Sequence, residues 1–282
     1  MGSMESVAVC ETCPRHCRLA EGALGYCHAR RNVNGRVVAA NYGKITSLAL
    51  DPIEKKPIAF FHPGANVLSV GSFGCNLRCP FCQNDSISQV GEGEVSFQKA
   101  TPSELASLAL RLKDERGNIG LAYTYNEPLV GWEFVRDCAK EVHDRGMHNI
   151  LVSNGCVESN VVKELAPLLD AANIDLKGPS QKYYDWVGGD FDAVCSTITT
   201  LNQAGCHVEV AVLIVPGRND EEGDVDAIAA FVASVSPDIP LHVTRFFPRF
   251  RMTDASPTPV STVRRLAEVA RRRLVHVLTG NC

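Results

Sequence analysis

From residue 66 onward, apolar stretches of strand length alternate with amphipathic stretches of helix length. The first helix has the clearest start, because Thr101-Pro102-Ser103-Glu104 combines a capping box with proline at the first helical position. Alternation of this kind predicts βαβ units and a parallel sheet in an α/β fold. The predicted strands are 67–70, 120–125, 149–153, 172–176, 208–215 and 241–245, and the later predicted helices are 131–144, 158–168, 192–203, 222–235 and 259–274.

Six predicted strand–helix units are too few for a closed, TIM-like eight-stranded barrel. An open, partial (β/α)6 barrel and a doubly wound sheet both fit the pattern. In either architecture, ligands bind at the carboxyl ends of the strands. Side chains that directly follow a predicted strand are therefore the first candidates for a functional site.

Composition excludes several classes of protein. With 282 residues, the chain has room for one barrel-sized domain and a small extra module. A formal net charge of −4 gives no field for binding nucleic acid. No apolar run reaches the length of a membrane helix and no secretory signal is recognisable, so we expect a cytoplasmic protein without membrane contact. Met1-Gly2-Ser3 resembles an expression scar, so the folded part is expected to begin near residue 5.

The chain has 12 cysteines, which is many for a cytosolic protein of this size. In a reducing compartment, clustered cysteines indicate metal or redox chemistry rather than disulfides. Two tight groups are present here. They are Cys10, Cys13, Cys17 and Cys27 near the N-terminus, and Cys75, Cys79 and Cys82 further along the chain.

The second group lies in Gly74-Cys75-Asn76-Leu77-Arg78-Cys79-Pro80-Phe81-Cys82, directly after the first predicted barrel strand. Its spacing allows one short loop to place three thiolates around one face of an iron–sulfur cubane. Ordinary cubanes take four cysteines, so three ligands leave one iron open to a chelating molecule. The alternative is a zinc site whose fourth ligand is His62 or a distant cysteine. The position of the loop at a strand end and the aromatic Phe81 favour the iron–sulfur cluster.

The CxxxCxΦC pattern of this loop, in which Phe81 is the aromatic residue, resembles the motif of the radical S-adenosylmethionine (SAM) enzymes. The resemblance implies a [4Fe-4S] cluster on Cys75, Cys79 and Cys82, whose open iron binds the amino and carboxylate groups of SAM. One electron then cleaves SAM to methionine and a 5′-deoxyadenosyl radical. The resemblance also implies an electron donor such as flavodoxin or ferredoxin.

Other predicted strand ends resemble the SAM-binding segments of this superfamily. Thr124-Tyr125-Asn126-Glu127-Pro128 stands where a Gly-Gly-Glu-Pro type motif holds the methionine ammonium, and Glu127 keeps the carboxylate. Ser153-Asn154-Gly155 and Asp175-Leu176-Lys177 resemble strand ends of the pyruvate formate-lyase activating enzymes, where the lysine meets the SAM carboxylate. Val152 replaces an aspartate of their monovalent cation site. The predicted SAM contacts are Phe81, Asn126, Glu127, Ser153, Asn154, Asp175, Lys177, His242 and Arg245.

Over nearly its whole length, the chain resembles the radical SAM proteins of the AmmeMemoRadiSam system, which are similar to the pyruvate formate-lyase activating enzymes. That family usually continues with another cysteine pair, whereas this sequence stops at Cys282. The segments that carry the resemblance are Cys13-Pro14-Arg15-His16-Cys17, Asp51-Pro52-Ile53-Glu54-Lys55-Lys56-Pro57, Cys82-Gln83-Asn84, Thr124-Tyr125-Asn126-Glu127-Pro128 and Thr279-Gly280-Asn281.

The N-terminal cysteines offer four thiolates, which is enough for a closed metal site. A second [4Fe-4S] cluster and a zinc ion both fit this count, and the iron–sulfur context favours the cluster. We therefore expect a Cys-rich, metal- or cluster-binding module with short strands over residues 5–62. The partial barrel is expected over residues 63–282.

Several functions are compatible with these features. An activase-like enzyme would take hydrogen from a partner polypeptide and would need an open groove across the barrel mouth. A biosynthetic or tailoring enzyme would instead hold a small molecule in a closed, polar pocket. A third possibility is a metal-stabilised scaffold or electron carrier, which would not cleave SAM. The activase-like enzyme with a protein substrate is the leading hypothesis.

Overall fold

The structure is a computed structural model that describes residues 7–282. Short 3-10 turns cover Ile53–Lys55, Glu92–Glu94, Pro128–Gly131 and Ala166–Leu168. The strands are β1 (Ala8–Val9), β2 (Arg18–Leu19), β3 (Arg30–Val33), β4 (Arg36–Ala39), β5 (Lys44–Ile45), β6 (Ser47–Pro52), β7 (Asn66–Gly71), β8 (Gln98–Lys99), β9 (Asn118–Tyr123), β10 (His148–Ser153), β11 (Ala171–Asp175), β12 (His207–Ile214), β13 (Leu241–Arg245) and β14 (Val277–Gly280). The helices are α1 (Asp85–Ser88), α2 (Pro102–Arg116), α3 (Trp132–His143), α4 (Ser159–Leu165), α5 (Gln181–Val187), α6 (Phe191–Gln203), α7 (Glu222–Val235) and α8 (Val260–Ala270).

One 8-stranded sheet organises the molecule, in the order β14-β13-β12-β11-β10-β9-β7-β6. In this sheet, β7 and β9 to β14 run parallel, and only β6 pairs antiparallel with its neighbour. Helices connect successive parallel strands, as in a partial TIM-like barrel. The predicted six strand–helix units are confirmed, and β6 and β14 extend the sheet at its two edges.

Local sequence signals account for the start and the end of α2. The Oγ1 of Thr101 accepts from the backbone N–H of Glu104, whose carboxylate accepts from the N–H of Thr101 in return. Gly117 ends α2 with a φ of 66°, a conformation that glycine adopts without steric cost. The capping box predicted for this helix is confirmed. No helix among residues 7–282 combines the length and the apolar character needed to cross a membrane.

Residues 53–62, which we call the floor segment, cross the amino end of the sheet. Ile53 and Ile58 are fully buried and pack with Val67, Ala122 and Ile150, which come from three neighbouring strands. A larger apolar core lies on the other face of the sheet, between the strands and the helices. The floor segment therefore closes the inside of the open barrel from below and leaves the carboxyl end of the strands for the functional site.

The N-terminal module consists of short antiparallel pairs that precede the main sheet. Strands β3 and β4 form a hairpin, and Asn34 and Gly35 turn it with φ values of 53° and 75°. Because β6 already belongs to the main sheet, the boundary predicted at residue 62 falls inside the barrel. We propose that the module ends before Ser47. Residues 5 and 6 of the predicted module lie outside the described residues.

Candidate functional site

The cysteine loop, residues 74–82, follows β7 at the carboxyl edge of the sheet, as the sequence predicts. Cys79 is buried, whereas Cys75 and Cys82 are partly exposed. The guanidinium of Arg78 donates to the carbonyl oxygens of Cys75 and Leu77 at 2.7 and 2.8 Å. These bonds fix the loop backbone, so the three thiols are presented by a rigid turn.

Segments that follow two other strands anchor the cysteine loop from outside. The backbone N–H of Arg78 donates to the carbonyl oxygen of Val187, at the end of α5, over 2.7 Å. The N–H of Arg251, in the connection from β13 to α8, donates to the carbonyl oxygen of Pro80 over 2.9 Å. The loop is therefore held by hydrogen bonds that only the assembled barrel can supply.

Burial raises the pKa of all three loop thiols, that of Cys79 to about 11. The carboxylate of Glu127 adds to this effect at Cys75, whereas the ammonium of Lys177 opposes it at Cys79 and Cys82. Thiolates in such surroundings require a strongly positive centre to stabilise them. Three soft sulfur donors from one loop fit an iron–sulfur cluster, which supplies that centre.

The geometry of the described side chains is less suited to a single metal ion. No three His, Cys, Asp or Glu side chains among residues 7–282 are arranged to hold one metal ion. A tetrahedral zinc ion needs sulfur ligands about 3.8 Å apart, given zinc–sulfur bonds of about 2.3 Å. A [4Fe-4S] cluster binds each thiolate to a different iron, so its ligands stand farther apart. The zinc alternative for the loop thus has no support from the geometry.

Glu127 is a buried carboxylate, 3% exposed, that three donors at this edge already bind. Its Oε1 accepts from Leu129 N at 2.9 Å and from Ser153 Oγ at 2.7 Å, and its Oε2 accepts from Asn154 N at 2.8 Å. Burial nevertheless raises the pKa of Glu127 to about 7. One lone pair of Oε2 has no donor in these contacts, which leaves room for the ammonium group that the motif predicts.

Asn154 connects this carboxylate to the cysteine loop. Its Nδ2 lies 3.0 Å from Asn76 Oδ1 and 3.6 Å from the sulfur of Cys75. Its Oδ1 accepts from the N–H of Cys156 at 2.8 Å. Asn154 therefore contacts the Cys75 thiol, and its amide nitrogen is directed to Cys75 and Asn76.

Asn126 has a different role from the predicted SAM contact. Its Oδ1 accepts from Ser72 N at 2.9 Å, and its Nδ2 donates to the carbonyl oxygens of Phe73 and Gly74 at 3.1 Å each. The amide is thus fully used by backbone groups. Asn126 positions the segment that leads into Cys75, a role that residue spacing alone does not reveal.

Asp175 and Lys177 form an ion pair where β11 ends, with 2.6 Å between Lys177 Nζ and Asp175 Oδ2. Burial opposes the ammonium charge, but Asp175 and the thiols of Cys79 and Cys82 outweigh it and raise the pKa of Lys177. The lysine is therefore cationic beside the cysteine loop. A cation in this place suits an anionic group such as the carboxylate of SAM.

Aromatic and guanidinium groups pack beside Phe81, which is buried. Its ring centroid lies 5.5 Å from that of Trp186, and the guanidinium of Arg218 lies 4.4 Å from the Trp186 ring centroid. Arg245 ends β13 at the same edge, where its Nε donates to Thr258 O over 2.7 Å. The sequence did not single out Trp186. Arg218 follows the predicted strand 208–215, and this position could have identified Arg218 from the sequence.

Tyr125 adopts a φ of +73°, which is strained for an aromatic residue. It packs so closely on Gly71 that a methyl group there would stand 2.9 Å from the Tyr125 Cβ. Its hydroxyl donates to Asp51 Oδ2 over 2.7 Å, and Lys56 Nζ lies 2.8 Å from the same oxygen. Two segments that carry the family resemblance therefore form one polar cluster.

His242 does not take the place predicted among the SAM contacts. Its Nε2 lies 2.6 Å from Oε2 of Glu209, whose side chain is fully buried. The other oxygen of Glu209 lies 2.9 Å from His207 Nε2 and accepts from the N–H groups of Ala59 and Phe60 in the floor segment. His242 therefore belongs to the hydrogen-bond network that joins Glu209 to the floor segment. In the sequence, Glu209 can be recognised as an acidic residue inside the apolar predicted strand 208–215.

The four N-terminal cysteines line one cavity, as their spacing predicts. Cys10, Cys13 and Cys27 are buried and Cys17 is partly exposed. Burial raises the pKa of Cys27 to about 11, and the charges of Cys13 and Cys10 add to this effect. The shared cavity places the four thiols around one space.

Comparisons with known proteins identify the superfamily of the chain. The model of the radical SAM superfamily matches residues 69–232. An uncharacterised protein of Methanocaldococcus jannaschii is 39% identical over 274 residues, which cover 96% of this chain and 80% of that protein. The benzylsuccinate synthase activating enzyme of Thauera aromatica is 29% identical over 116 residues, 40% of this chain and 35% of that enzyme. The pyruvate formate-lyase-activating enzyme of Clostridium pasteurianum is 24% identical over 168 residues, 57% of this chain and 67% of that enzyme.

Solved structures share the fold. A radical SAM methyltransferase from Sphaerobacter thermophilus superposes with a TM-score of 0.59 at 16% identity, over 78% of this chain and 67% of that one. A domain of a pyruvate-formate lyase-activating enzyme from Bacteroides vulgatus gives a TM-score of 0.50 at 18% identity, over 57% of this chain and 99% of that one. The superfamily match and the archaeal relative carry the assignment, and the chain belongs to the radical SAM superfamily.

Proposed function

We propose that the protein binds a [4Fe-4S] cluster through Cys75, Cys79 and Cys82 and cleaves SAM reductively to a 5′-deoxyadenosyl radical. This radical takes a hydrogen atom from a substrate. The observation that carries the proposal is the gathering of three thiols, a buried carboxylate and a lysine at one edge of the sheet. These groups come from the ends of β7, β9 and β11.

The residues of this edge divide the work of holding SAM. The free lone pair of Glu127 Oε2 accepts a hydrogen bond from the methionine ammonium of SAM, and Lys177 attracts its carboxylate. Ser153 and Asn154 hold Glu127 in place through their hydrogen bonds to its two oxygens. When bound, the cluster supplies the electron that breaks a carbon–sulfur bond of SAM. A protein donor such as flavodoxin or ferredoxin provides this electron.

We further propose that the substrate is a partner polypeptide. The support comes from two relatives named as activating enzymes, those of benzylsuccinate synthase and pyruvate formate-lyase. The matched stretches span 35% of the first of these enzymes and 67% of the second. Kinship to the AmmeMemoRadiSam proteins is part of the same proposal and rests on the motifs quoted above.

The N-terminal module is proposed to hold a second [4Fe-4S] cluster. Its support is the single cavity that all four cysteines line. A zinc ion remains the alternative occupant of this site, but no group of His, Cys, Asp or Glu side chains among the described residues is arranged to hold a single metal ion. Four thiolates on four different irons match the count of ligands.

The first experiment is anaerobic reconstitution with iron and sulfide, followed by metal analysis and a SAM-cleavage assay with dithionite. About eight irons per chain, together with 5′-deoxyadenosine, would support both clusters. About four irons, stoichiometric zinc and the same product would keep the enzyme and overturn the second cluster. If fully reduced, iron-loaded protein releases no 5′-deoxyadenosine, the proposed SAM chemistry is wrong.

A second experiment distinguishes the two substrate classes. SAM cleavage by reconstituted protein is measured after adding either the retained macromolecules or the small-molecule filtrate of a cell extract. Stimulation by the macromolecular fraction, abolished by protease treatment of that fraction, supports a polypeptide substrate. Stimulation by the filtrate alone contradicts it.

A further inference from the structure

The N-terminal module touches the cysteine loop at the residue just before Cys75. Gly74 has a φ of +88°, and a methyl group placed on it would stand 2.4 Å from the carbonyl oxygen of Cys27. The same methyl group would stand 2.8 Å from the Cβ of Ala29. The backbone that carries Cys27 therefore packs directly against the backbone that carries Cys75.

A second contact lies on the other side of Cys75, at Asn76. Asn76 lines the same cavity as the four N-terminal cysteines, and its Nδ2 donates to the carbonyl oxygen of Cys156 over 2.5 Å. The Nε of Arg15 donates to the carbonyl oxygen of Asn76 over 3.2 Å. Both neighbours of Cys75 in the sequence thus contact ligands of the N-terminal site or residues beside them.

Two arginines clamp this interface around an aromatic ring. The guanidinium carbons of Arg15 and Arg78 lie 3.6 and 4.0 Å from the ring centroid of Tyr26. Arg78 also donates to the carbonyl oxygens of Tyr26, Cys75 and Leu77. One side chain therefore binds the module and the cysteine loop at the same time, which makes their relative position rigid.

The N-terminal cavity also has a buried donor suited to an anionic occupant. Arg30 lines the cavity, is 5% exposed and pairs with Glu133 over 2.6 Å. Its Nε has no hydrogen-bond partner among residues 7–282. A cluster held by four thiolates carries negative charge and exposes sulfur acceptors, which would satisfy this donor.

From these contacts we propose that the N-terminal site is the entry point for the electron that the cysteine loop requires. Cys10, Cys13, Cys17 and Cys27 would hold the group that accepts one electron from the reduced donor protein, and Cys75, Cys79 and Cys82 would hold the group to which that electron is passed. The donor is oxidised by one electron, and no atom is transferred. The proposal rests on the proposed function, including its second cluster, and adds the route and direction of electron flow.

The test compares two reductants in a variant that lacks the N-terminal site. Cys10→Ser and Cys17→Ser together remove two thiols that lie outside the interface with Gly74 and Asn76. We expect iron to fall from about eight to about four per chain. The ratio of the SAM-cleavage rate with reduced flavodoxin to the rate with dithionite, a small reductant, should fall at least about tenfold. The matched control is the Cys195→Ser, Cys282→Ser protein, which loses two thiols elsewhere and should behave as wild type.

The outcomes separate the two proposals. If flavodoxin-driven and dithionite-driven rates fall by the same factor, the relay is wrong while SAM chemistry stands. If wild-type protein gives no product with dithionite, the proposed function itself fails.

A measurement on the wild-type protein does not depend on the folding of a variant. Electron paramagnetic resonance of the fully reduced protein should show spin–spin broadening, because Gly74 packs against the backbone of Cys27 and Asn76 lines the cavity of the N-terminal cysteines. Two spectra that simply add, or zinc in the N-terminal site, would overturn the relay.

Discussion

The three loop cysteines differ in their surroundings although the motif treats them alike. Cys79 is 8% exposed and lies near the Lys177 ammonium, whereas Cys75 is influenced by the Glu127 carboxylate. The sulfur of Cys75 accepts from Leu77 N at 3.3 Å and from Asn154 Nδ2 at 3.6 Å. The residue-level environment thus makes the cluster ligands unequal.

Replacing Cys79 with alanine should abolish SAM cleavage, to below about 1% of the wild-type rate, because two thiolates cannot hold the cluster. The small side chain leaves the barrel folded, so circular dichroism should match wild type. Cys282→Ala, which removes an exposed thiol, is the control. Retained 5′-deoxyadenosine formation in the Cys79→Ala protein would disprove the assignment of the loop.

Replacing Lys177 with methionine should weaken SAM binding about 10- to 30-fold, since a charge-assisted hydrogen bond contributes about 1.5–2 kcal/mol. The affinity is measured by calorimetry on reconstituted protein. Lys182→Met, an exposed lysine of α5, is the matched control. An unchanged dissociation constant for Lys177→Met would remove this lysine from the SAM site.

At the scale of elements, the module and the cysteine loop behave as one unit. Their interface is built from backbone contact at Gly74 and from the Arg15–Tyr26–Arg78 clamp. A buried ion pair between Arg30 and Glu133 of α3 adds a second attachment. The module therefore stabilises the loop whether or not a second cluster is present.

Gly74→Ala should destabilise the apoprotein by about 2–4 kcal/mol, because the methyl group adds a clash with Cys27 to the strain of a positive φ. Gly64→Ala is the matched control: its φ is +80° and a methyl group there meets nothing within 4 Å. That variant should lose only about 1 kcal/mol. Urea denaturation measures both. Equal losses would mean that the interface at Gly74 contributes nothing to stability.

At the scale of the whole molecule, the floor segment joins opposite parts of the open barrel. Glu209 on β12 binds the backbone of residues 59 and 60 as well as His207 and His242. Burial alone would raise the pKa of this carboxyl group, but the donors outweigh burial and lower it to about 2. The ionised carboxylate therefore stabilises the fold above its unfolded pKa of about 4.5.

This stabilisation should disappear as the pH falls from about 4.5 to about 2, since protonation removes the charge that the donors favour. Glu209→Gln should cost about 3 kcal/mol at pH 7, and its difference from wild type should shrink below pH 4.5. Urea denaturation of apoprotein across this pH range measures the effect. Glu268→Gln, an exposed residue of α8, should show no such dependence, and a pH-independent loss at Glu209 would contradict the prediction.

The sequence by itself determined the local features. The spacing of the loop cysteines, the helix start at Thr101 and the strand–helix alternation depend on residues close together in the chain. Glu127 and Lys177 lie at the predicted carboxyl edge of the sheet, because parallel strands end on the same side of the sheet.

Only the tertiary structure decided how side chains near that edge are used. Asn126 serves the backbone and His242 serves the floor, because their partners come from segments that are distant in sequence. The contact between Gly74 and Cys27 likewise forms only after the barrel and the module have packed together. Chain spacing sets which residues can share a turn, whereas packing selects which of them meet across the fold.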